Sequence, residues 1–261
     1  EIIALDRSQA DFAKPESLRK IVRERNPDVI VNAVAYTAVD KAEEEEELAT
    51  TINGDSVAVI AEEARKLKAL LIHYSTDYVF DGTKVEAYTE DDIPNPINAY
   101  GRSKLAGEQS VQASGAEHLI FRTSWVYASR GQNFLRTILR LARERNELGI
   151  VADQVGAPPW RRRIAQTSAY CLQQAVAERQ AGTFEPGLYH LAAAGETSWY
   201  GFANAIIDNA RCQGQGDIRA NDVVPIPTSE YPTPAGRPLS SRLATGRLST
   251  KFGLVMPEWE L

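Results

Sequence analysis

Tyr100 and Lys104 stand four residues apart in Tyr100-Gly101-Arg102-Ser103-Lys104. On a helix that spacing puts both side chains on one face. A phenol beside an ammonium is a proton-transfer pair. The cation favours the phenolate and is expected to lower the tyrosine's pKa from ~10 toward the working range. A tyrosine tuned in this way gives or takes a proton at a carbonyl or carbinol oxygen. Both residue types are common, and the pair alone reads more readily as a chance structural match. It gains weight from Ser75-Thr76-Asp77-Tyr78-Val79-Phe80-Asp81-Gly82, which follows the apolar run Ala69 to Tyr74. A hydroxyl at a strand's C-terminal edge can donate a hydrogen bond to a substrate carbonyl, and Thr76 is expected to share that oxygen with Tyr100. Taken alone, Ser75 and Thr76 also read as turn residues.

These groups need elements to position them. Ile2 to Asp6 reads as a strand already under way. A helix begins near Pro15, carries Leu18, Ile21 and Val22 at helical spacing, and stops at Asn26-Pro27. Asp28 to Asn32 is a short buried strand. Helical patterning follows from about residue 40 to 68, broken near Asn53-Gly54, and Ala69 to Ser75 is the next strand. Thr76 to Asn98 reads as a long functional loop. Helix 100–113, strand His118 to Thr123 and helix 133–145 come next. The alternation predicts an α/β fold, a Rossmann-type doubly wound parallel sheet. Such sheets bind ligands at the C-terminal ends of their strands, which points to the residues after Asp6, Asn32, Ser75 and Thr123. Beyond about residue 150 the elements shorten, with helices near 164–179 and 198–212 flanking Leu188 to Ala192. We expect a dinucleotide-binding domain over 1–150 and a mainly substrate-binding lobe over 151–261, with some return to the sheet.

The 261 residues are 43% hydrophobic and 25% charged, with net charge −6, an ordinary composition for a soluble protein. That balance offers no attraction to nucleic acid or an anionic membrane, and no run of ~18 apolar residues exists. Cys171 and Cys212 make no disulfide framework and have no metal-ligand spacing, which fits a reducing cytoplasm. Both are expected to be buried or half-buried helix thiols. His73, His118 and His190 fall one to a strand and form no ligand cluster. No metal site is expected. The five acids Glu43 to Glu47 read as a solvated helix face.

Further segments join the tyrosine motif in order along the chain. They are Val31-Asn32-Ala33-Val34-Ala35-Tyr36-Thr37-Ala38-Val39-Asp40-Lys41-Ala42-Glu43, then Phe121-Arg122-Thr123-Ser124-Trp125-Val126-Tyr127, Asp153-Gln154-Val155-Gly156-Ala157-Pro158 and Arg237-Pro238-Leu239-Ser240-Ser241-Arg242-Leu243. With them the chain resembles the dTDP-4-dehydrorhamnose reductase family, extended short-chain dehydrogenases that act on nucleotide sugars. The resemblance implies NADPH- or NADH-dependent reduction of the C4 ketone of dTDP-4-dehydro-β-L-rhamnose. It implies Tyr100 as proton donor to O4, and Lys104 as the cation that lowers the tyrosine's pKa and binds the nicotinamide ribose. Thr76 would hydrogen-bond the sugar carbonyl and Asp77 would contact substrate. Trp125 would lie against the deoxysugar, a flat indole suiting its apolar face. On the cofactor side the resemblance implies Asp6 at the adenosine ribose, Arg7 as the alternative partner of a 2′-phosphate, Asp11 and Phe12 near the adenine, and Ala35, Tyr36 and Thr37 beside the phosphates and ribose.

Two departures qualify this likeness. The glycine-rich turn that should cradle the pyrophosphate belongs ahead of Asp6, in a βα unit of on the order of 20–30 residues. We expect that unit to precede Glu1 in the molecule; a chain lacking it would bind cofactor weakly. Second, Arg162 stands near the place where some relatives carry an acid for Mg²⁺ at a dimer interface. Arginine cannot ligate a cation, so a metal-bridged dimer of that type is not expected, while a homodimer as such stays open. Arg161, Arg162 and Arg163 read as solvated or as contacts for the substrate diphosphate. Two rivals stay open: another nucleotide-sugar epimerase or dehydratase, although only one acid follows Thr76, and a non-catalytic partner-binding protein resembling the methionine adenosyltransferase β subunit.

Overall fold

The structure, a computed structural model, describes residues 1–214 and 217–260; Leu261, the last residue of the expected lobe, lies outside them. Four parallel strands form the central sheet in the order β1-β2-β3-β6: β1 Val29–Asn32, β2 Leu70–Thr76, β3 His118–Thr123 and β6 Gly187–His190. Parallel neighbours need crossovers, and the helices supply them. Helices α1 (Pro15–Arg25), α3 (Ser56–Leu67) and α4 (Ala99–Ser114) cover one face, where Leu18, Val57, Ile60 and Val111 pack on Leu71 and Ile120. Helices α6 (Arg161–Ala181) and α8 (Gly246–Phe252) cover the other, closing over Leu70, Ile72, Leu119 and Phe121. Burial on both faces explains why these strands read as continuous apolar runs. Each fully buried aliphatic side chain contributes about 1.5–3 kcal/mol.

A second cluster gathers α5 (Phe134–Glu144), α7 (Trp199–Cys212) and the parallel pair β4 (Glu147–Val151) and β8 (Asp222–Ile226) around Ile138, Phe202 and Ile207. A small antiparallel ribbon is formed by β5 (Val155–Gly156) and β7 (Thr197–Ser198). No helix among the described residues is long and apolar enough to cross a membrane.

Three local expectations change. Residues 1–6 pair with no strand. Ile2 is 96% exposed, and the Asp6 carbonyl instead accepts hydrogen bonds from the amides of Gln9 and Ala10 at 3.1 and 2.9 Å. Without a neighbouring ladder an extended segment has nothing to hold it as a strand. The helical stretch near 40–68 divides into a 3-10 turn at Lys41–Glu43, α2 (Glu46–Thr50), a π turn at Thr51–Asp55 and α3. Cys171 is buried in α6 as expected, but Cys212, at the end of α7, is exposed.

Candidate active site

Helix α4 presents the tyrosine–lysine pair, and its start is fixed by two acceptors. The Asn98 carboxamide accepts from the Gly101 amide at 2.7 Å, and Glu43 accepts from the Ala99 amide at 2.8 Å. These satisfy donors that a helix start leaves free. Glu43 to Glu47 is therefore more than a solvated face. Glu45 accepts from the Tyr36 hydroxyl at 2.7 Å, and Glu46 pairs with Arg102 at 2.8 Å. Gly101 lets the helix press on the turn after β2: a Cβ there would lie 2.2 Å from the Tyr78 carbonyl oxygen. That approach brings Tyr100 to the end of β2.

Thr76, the last residue of β2, is buried. Its hydroxyl donates to Asp77 at 3.0 Å and accepts from the Tyr78 amide at 3.2 Å. Burial raises the Asp77 carboxyl to about 6, with the neighbouring Ser241 and Thr76 side chains acting in the other direction. Asp77 Oδ2 is buried without a partner. Lys104 is 2% exposed and its Nζ donates to the Tyr74 carbonyl at 2.7 Å. Burial lowers the ammonium to about 8, with the Glu108 carboxylate, one helical turn on, acting in the other direction. Glu108 itself is held by Arg122 of β3 through two bonds, 2.9 and 2.6 Å long.

The Tyr100 phenol moves opposite to the sequence expectation. Burial raises it to about 12, with the Thr76 hydroxyl pulling down. The Lys104 ammonium is committed to the Tyr74 carbonyl, and the Tyr100 ring packs edge-on against Tyr78 with centroids 5.5 Å apart. Lost hydration of the phenolate therefore sets the direction, with the nearby Asp77 carboxylate adding to it. The phenol is fully protonated near neutral pH, as a proton donor must be.

Three residues given no role by sequence reasoning belong here. Asn53, fully buried in the π turn, accepts from the Tyr36 amide at 2.8 Å and donates to the Tyr36 carbonyl and to Ser103 Oγ of α4, at 3.1 and 2.9 Å. It fastens the segment Ala35, Tyr36, Thr37 to the tyrosine helix. The signal was present as an Asn-Gly inside a helical pattern, which read only as a break; π turns in helices recur at functional sites. Arg237 pairs with Asp40 at 2.8 Å and lies over the Tyr78 ring at 6.0 Å. Ser241, buried in the same segment, is the neighbour of Asp77. No contact in the linear sequence links these two residues to Tyr100.

The remaining expected residues have other neighbours. Asp6 is exposed and accepts from the Ser8 amide and hydroxyl at 2.9 and 2.6 Å, which holds its carboxyl below the usual range. Arg7 is exposed beside it. Asp11 accepts from the Ala13 amide at 3.1 Å, and the Phe12 ring is buried in the core with Leu18 and Val57. Trp125 follows β3 in a left-handed conformation, φ +49°. Its indole stacks on Trp199, with centroids 3.6 Å apart and planes 12° apart. His73, His118 and His190 all lie in strands and are buried. Arg161, Arg162 and Arg163 are exposed, Arg162 over the Trp160 ring at 5.8 Å.

The donor set fits the nicotinamide half of a dinucleotide. Thr123 Oγ1 and Ser124 Oγ are buried without partners at the end of β3. Lys104 keeps donors beyond its one bond, since an ammonium carries three.

Comparison with known proteins identifies the family. The family described as RmlD substrate binding domain matches residues 1–261. A dTDP-4-dehydrorhamnose reductase of Burkholderia thailandensis is 51% identical over 260 residues, covering 99% of this chain and 87% of that protein. The Escherichia coli K12 protein of the same name is 47% identical over 251 residues, 96% of this chain and 82% of its own length. Among solved structures, the Bacillus anthracis dTDP-4-dehydrorhamnose reductase in complex with NADP is 36% identical, with a TM-score of 0.84, covering 98% of this chain and 85% of that one.

Proposed function

We infer the function from one premise: this chain belongs to the dTDP-4-dehydrorhamnose reductase family. It is an oxidoreductase that reduces the C4 ketone of dTDP-4-dehydro-β-L-rhamnose to dTDP-L-rhamnose with NADPH or NADH. The observation that carries the reading is the meeting of Tyr100, Lys104 and Thr76 at the C-terminal end of β2.

A reduced nicotinamide, when bound, supplies hydride to C4. The chain's own residues handle the oxygen. Thr76 and the Tyr100 phenol donate hydrogen bonds to O4, where negative charge gathers, and positioned donors are worth most in a site that excludes water. Tyr100 then delivers its proton to O4, leaving a phenolate whose burial is costly. The Lys104 ammonium, held one turn away by the Tyr74 carbonyl, offsets that cost. Lys104, Thr123 and Ser124 would hold the nicotinamide and its ribose; Ala35, Tyr36 and Thr37, with Asp6, Arg7, Asp11 and Phe12, would line the path of its adenosine end. Arg237 supplies a cation for the diphosphate of the sugar nucleotide, and Asp77 a contact to the sugar. Cytoplasmic biosynthesis of a polysaccharide precursor is the setting this chemistry suits.

The test follows NADPH or NADH absorbance in the full-length protein with dTDP-4-dehydrorhamnose, beside Tyr100→Phe. Substrate-dependent oxidation that disappears in the variant supports the reductase and its proton donor. A folded protein that binds nucleotide and oxidises nothing would return the partner-binding reading.

A further inference from the structure

The helix that carries Tyr100 and Lys104 lies on a polar strip of the sheet. Ser75, Arg122 and His190 stand in register across β2, β3 and β6, and all three are buried. Glu108 of α4 meets this strip at Arg122. It lies one turn beyond Lys104, a spacing at which a lysine and a glutamate ordinarily face each other. Both of its oxygens are nevertheless taken by Arg122, which donates from Nε to Oε1 at 2.9 Å and from Nη2 to Oε2 at 2.6 Å. The Lys104 Nζ turns instead to the Tyr74 carbonyl at 2.7 Å.

Arg122 is itself well fixed. Its guanidinium lies over the Phe80 ring at 4.9 Å, and that ring stacks on Tyr88 and meets His190 edge-on. A two-bond guanidinium fork is stronger and more directional than the single-point bond an ammonium offers. Lysine ahead of glutamate along a helix is also the weaker order. A buried ion pair adds little stability by itself, since apolar residues of similar volume often serve as well, so its place behind the reaction pair has another reason. The groups facing Lys104 are Tyr100 and Glu108 from α4, His73 and the Tyr74 carbonyl from β2, and Arg122 of β3 beyond Glu108. His73 is uncharged: burial holds it well below the usual imidazole range, and Lys104 and His118 act in the same direction. The π turn contributes Asn53, which carries no charge. Glu108 is therefore the carboxylate placed to capture the ammonium.

We propose that Arg122 is a positioning residue: by holding both oxygens of Glu108 it keeps that carboxylate off Lys104, so that the ammonium stays on the Tyr74 carbonyl with its remaining donors free for the Tyr100 centre. Glu108 then sustains the ammonium as a charge at a distance without binding it. A direct bond between Lys104 and Glu108 would cancel the charge on which a Tyr100 phenolate relies, and would draw the ammonium from the end of β2. The kinetic consequences rest on the reductase reading; the titration of Lys104 does not.

The test uses the full-length protein with Glu108→Gln, Arg122→Lys and the two together. Lys104 is titrated through the carbon NMR signal of its Cε in lysine-labelled protein, identified by its absence in Lys104→Arg. Wild type should show a midpoint of about 8. Glu108→Gln removes the sustaining charge and should lower the midpoint by roughly one pH unit. Arg122→Lys keeps the cation but loses the fork, which frees a carboxylate oxygen to reach the ammonium. Its Lys104 midpoint should rise, while kcat for the sugar nucleotide on the plateau below that midpoint falls by on the order of 10–100-fold. The double variant has no carboxylate to capture Lys104, so it should regain most of that plateau, with a midpoint below that of wild type. A pair that served stability alone would leave the Lys104 midpoint unmoved, and the second substitution would deepen the loss of the first. Either result overturns the proposal, and both are read from Arg122→Lys and the double variant should Glu108→Gln alone fail to fold. Midpoints that move as expected, in a protein whose wild type oxidises no NADPH, would sink the reductase reading alone.

Discussion

Two regions meet at Tyr100, and they are built differently. The side formed by β2, the turn after it and α4 is one stretch of chain, residues 70 to 114, with its own cap and its own close contact at Gly101. The facing side is assembled from pieces at 153–156, 197–199 and 235–241, joined by backbone hydrogen bonds and by the Trp199 indole N–H donating to Gln154. The first side holds the groups proposed for proton transfer and the second holds the groups proposed for the nucleotide sugar. Chemistry is thus fixed by local structure, whereas substrate recognition depends on long-range register. Damage to the first should appear in kcat, and damage to the second in the affinity for the sugar nucleotide.

The sharpest break is Tyr100→Phe. It removes the proton donor without changing ring packing, and kcat should fall by about two to four orders of magnitude. Wild-type thermal stability should be kept; a collapse of stability would mean that the phenol is structural. Next is Arg122→Met, which leaves the Glu108 carboxylate buried and unpaired behind Lys104. Removing one partner of a buried pair costs about 3–5 kcal/mol, to be read from denaturant unfolding. A loss under about 1 kcal/mol would show that water reaches the pair.

A third prediction concerns pH. Lys104 is held at about 8. Its ammonium, which supports the phenolate, is present below that pH and is lost above it. kcat should therefore decline with rising pH from about 8, near tenfold per unit, while remaining level toward neutrality. A flat alkaline profile would remove the ammonium from the reaction. A smaller effect is expected for Asn98→Ala, which deletes the α4 cap and the tie from Asn98 Nδ2 to the Gly236 carbonyl at 2.8 Å. Loss of the cap should cost about 1 kcal/mol of stability. Because Asn98 touches both sides, sugar affinity should weaken with kcat; a change in kcat alone would confine its role to the helix. The least effect belongs to Arg102→Ala at its half-exposed pair with Glu46, worth about 0.2–1 kcal/mol.

Much of the first side was readable from the chain. Apolar runs with period and length suited to buried strands gave β2 and β3 nearly to the residue, because strands covered on both faces show no polar alternation. The i to i+4 spacing of Tyr100 and Lys104 placed them together because helix geometry makes them neighbours. Thr76 followed from its place at the end of a parallel strand. The direction of the Tyr100 shift was not readable, since it depends on how much water the phenol loses against how freely the ammonium can face it. Asn53 was visible only as a break in the pattern, because its worth lies in bonds to Tyr36 and to Ser103, 17 and 50 residues away.

The sequence by itself determined the fold class, the placing of Tyr100 and Lys104 on one helix and of the Thr76 hydroxyl at a strand end, for these rest on periodicities that local backbone geometry enforces. Only the tertiary structure decided that Arg237 reaches Tyr78 and Ser241 reaches Asp77, that Phe12 turns into the core, and that Trp125 stacks on Trp199. Each of those outcomes is a contact between segments far apart in the chain. Its geometry is set by which surfaces pack together, and no spacing along the sequence encodes that.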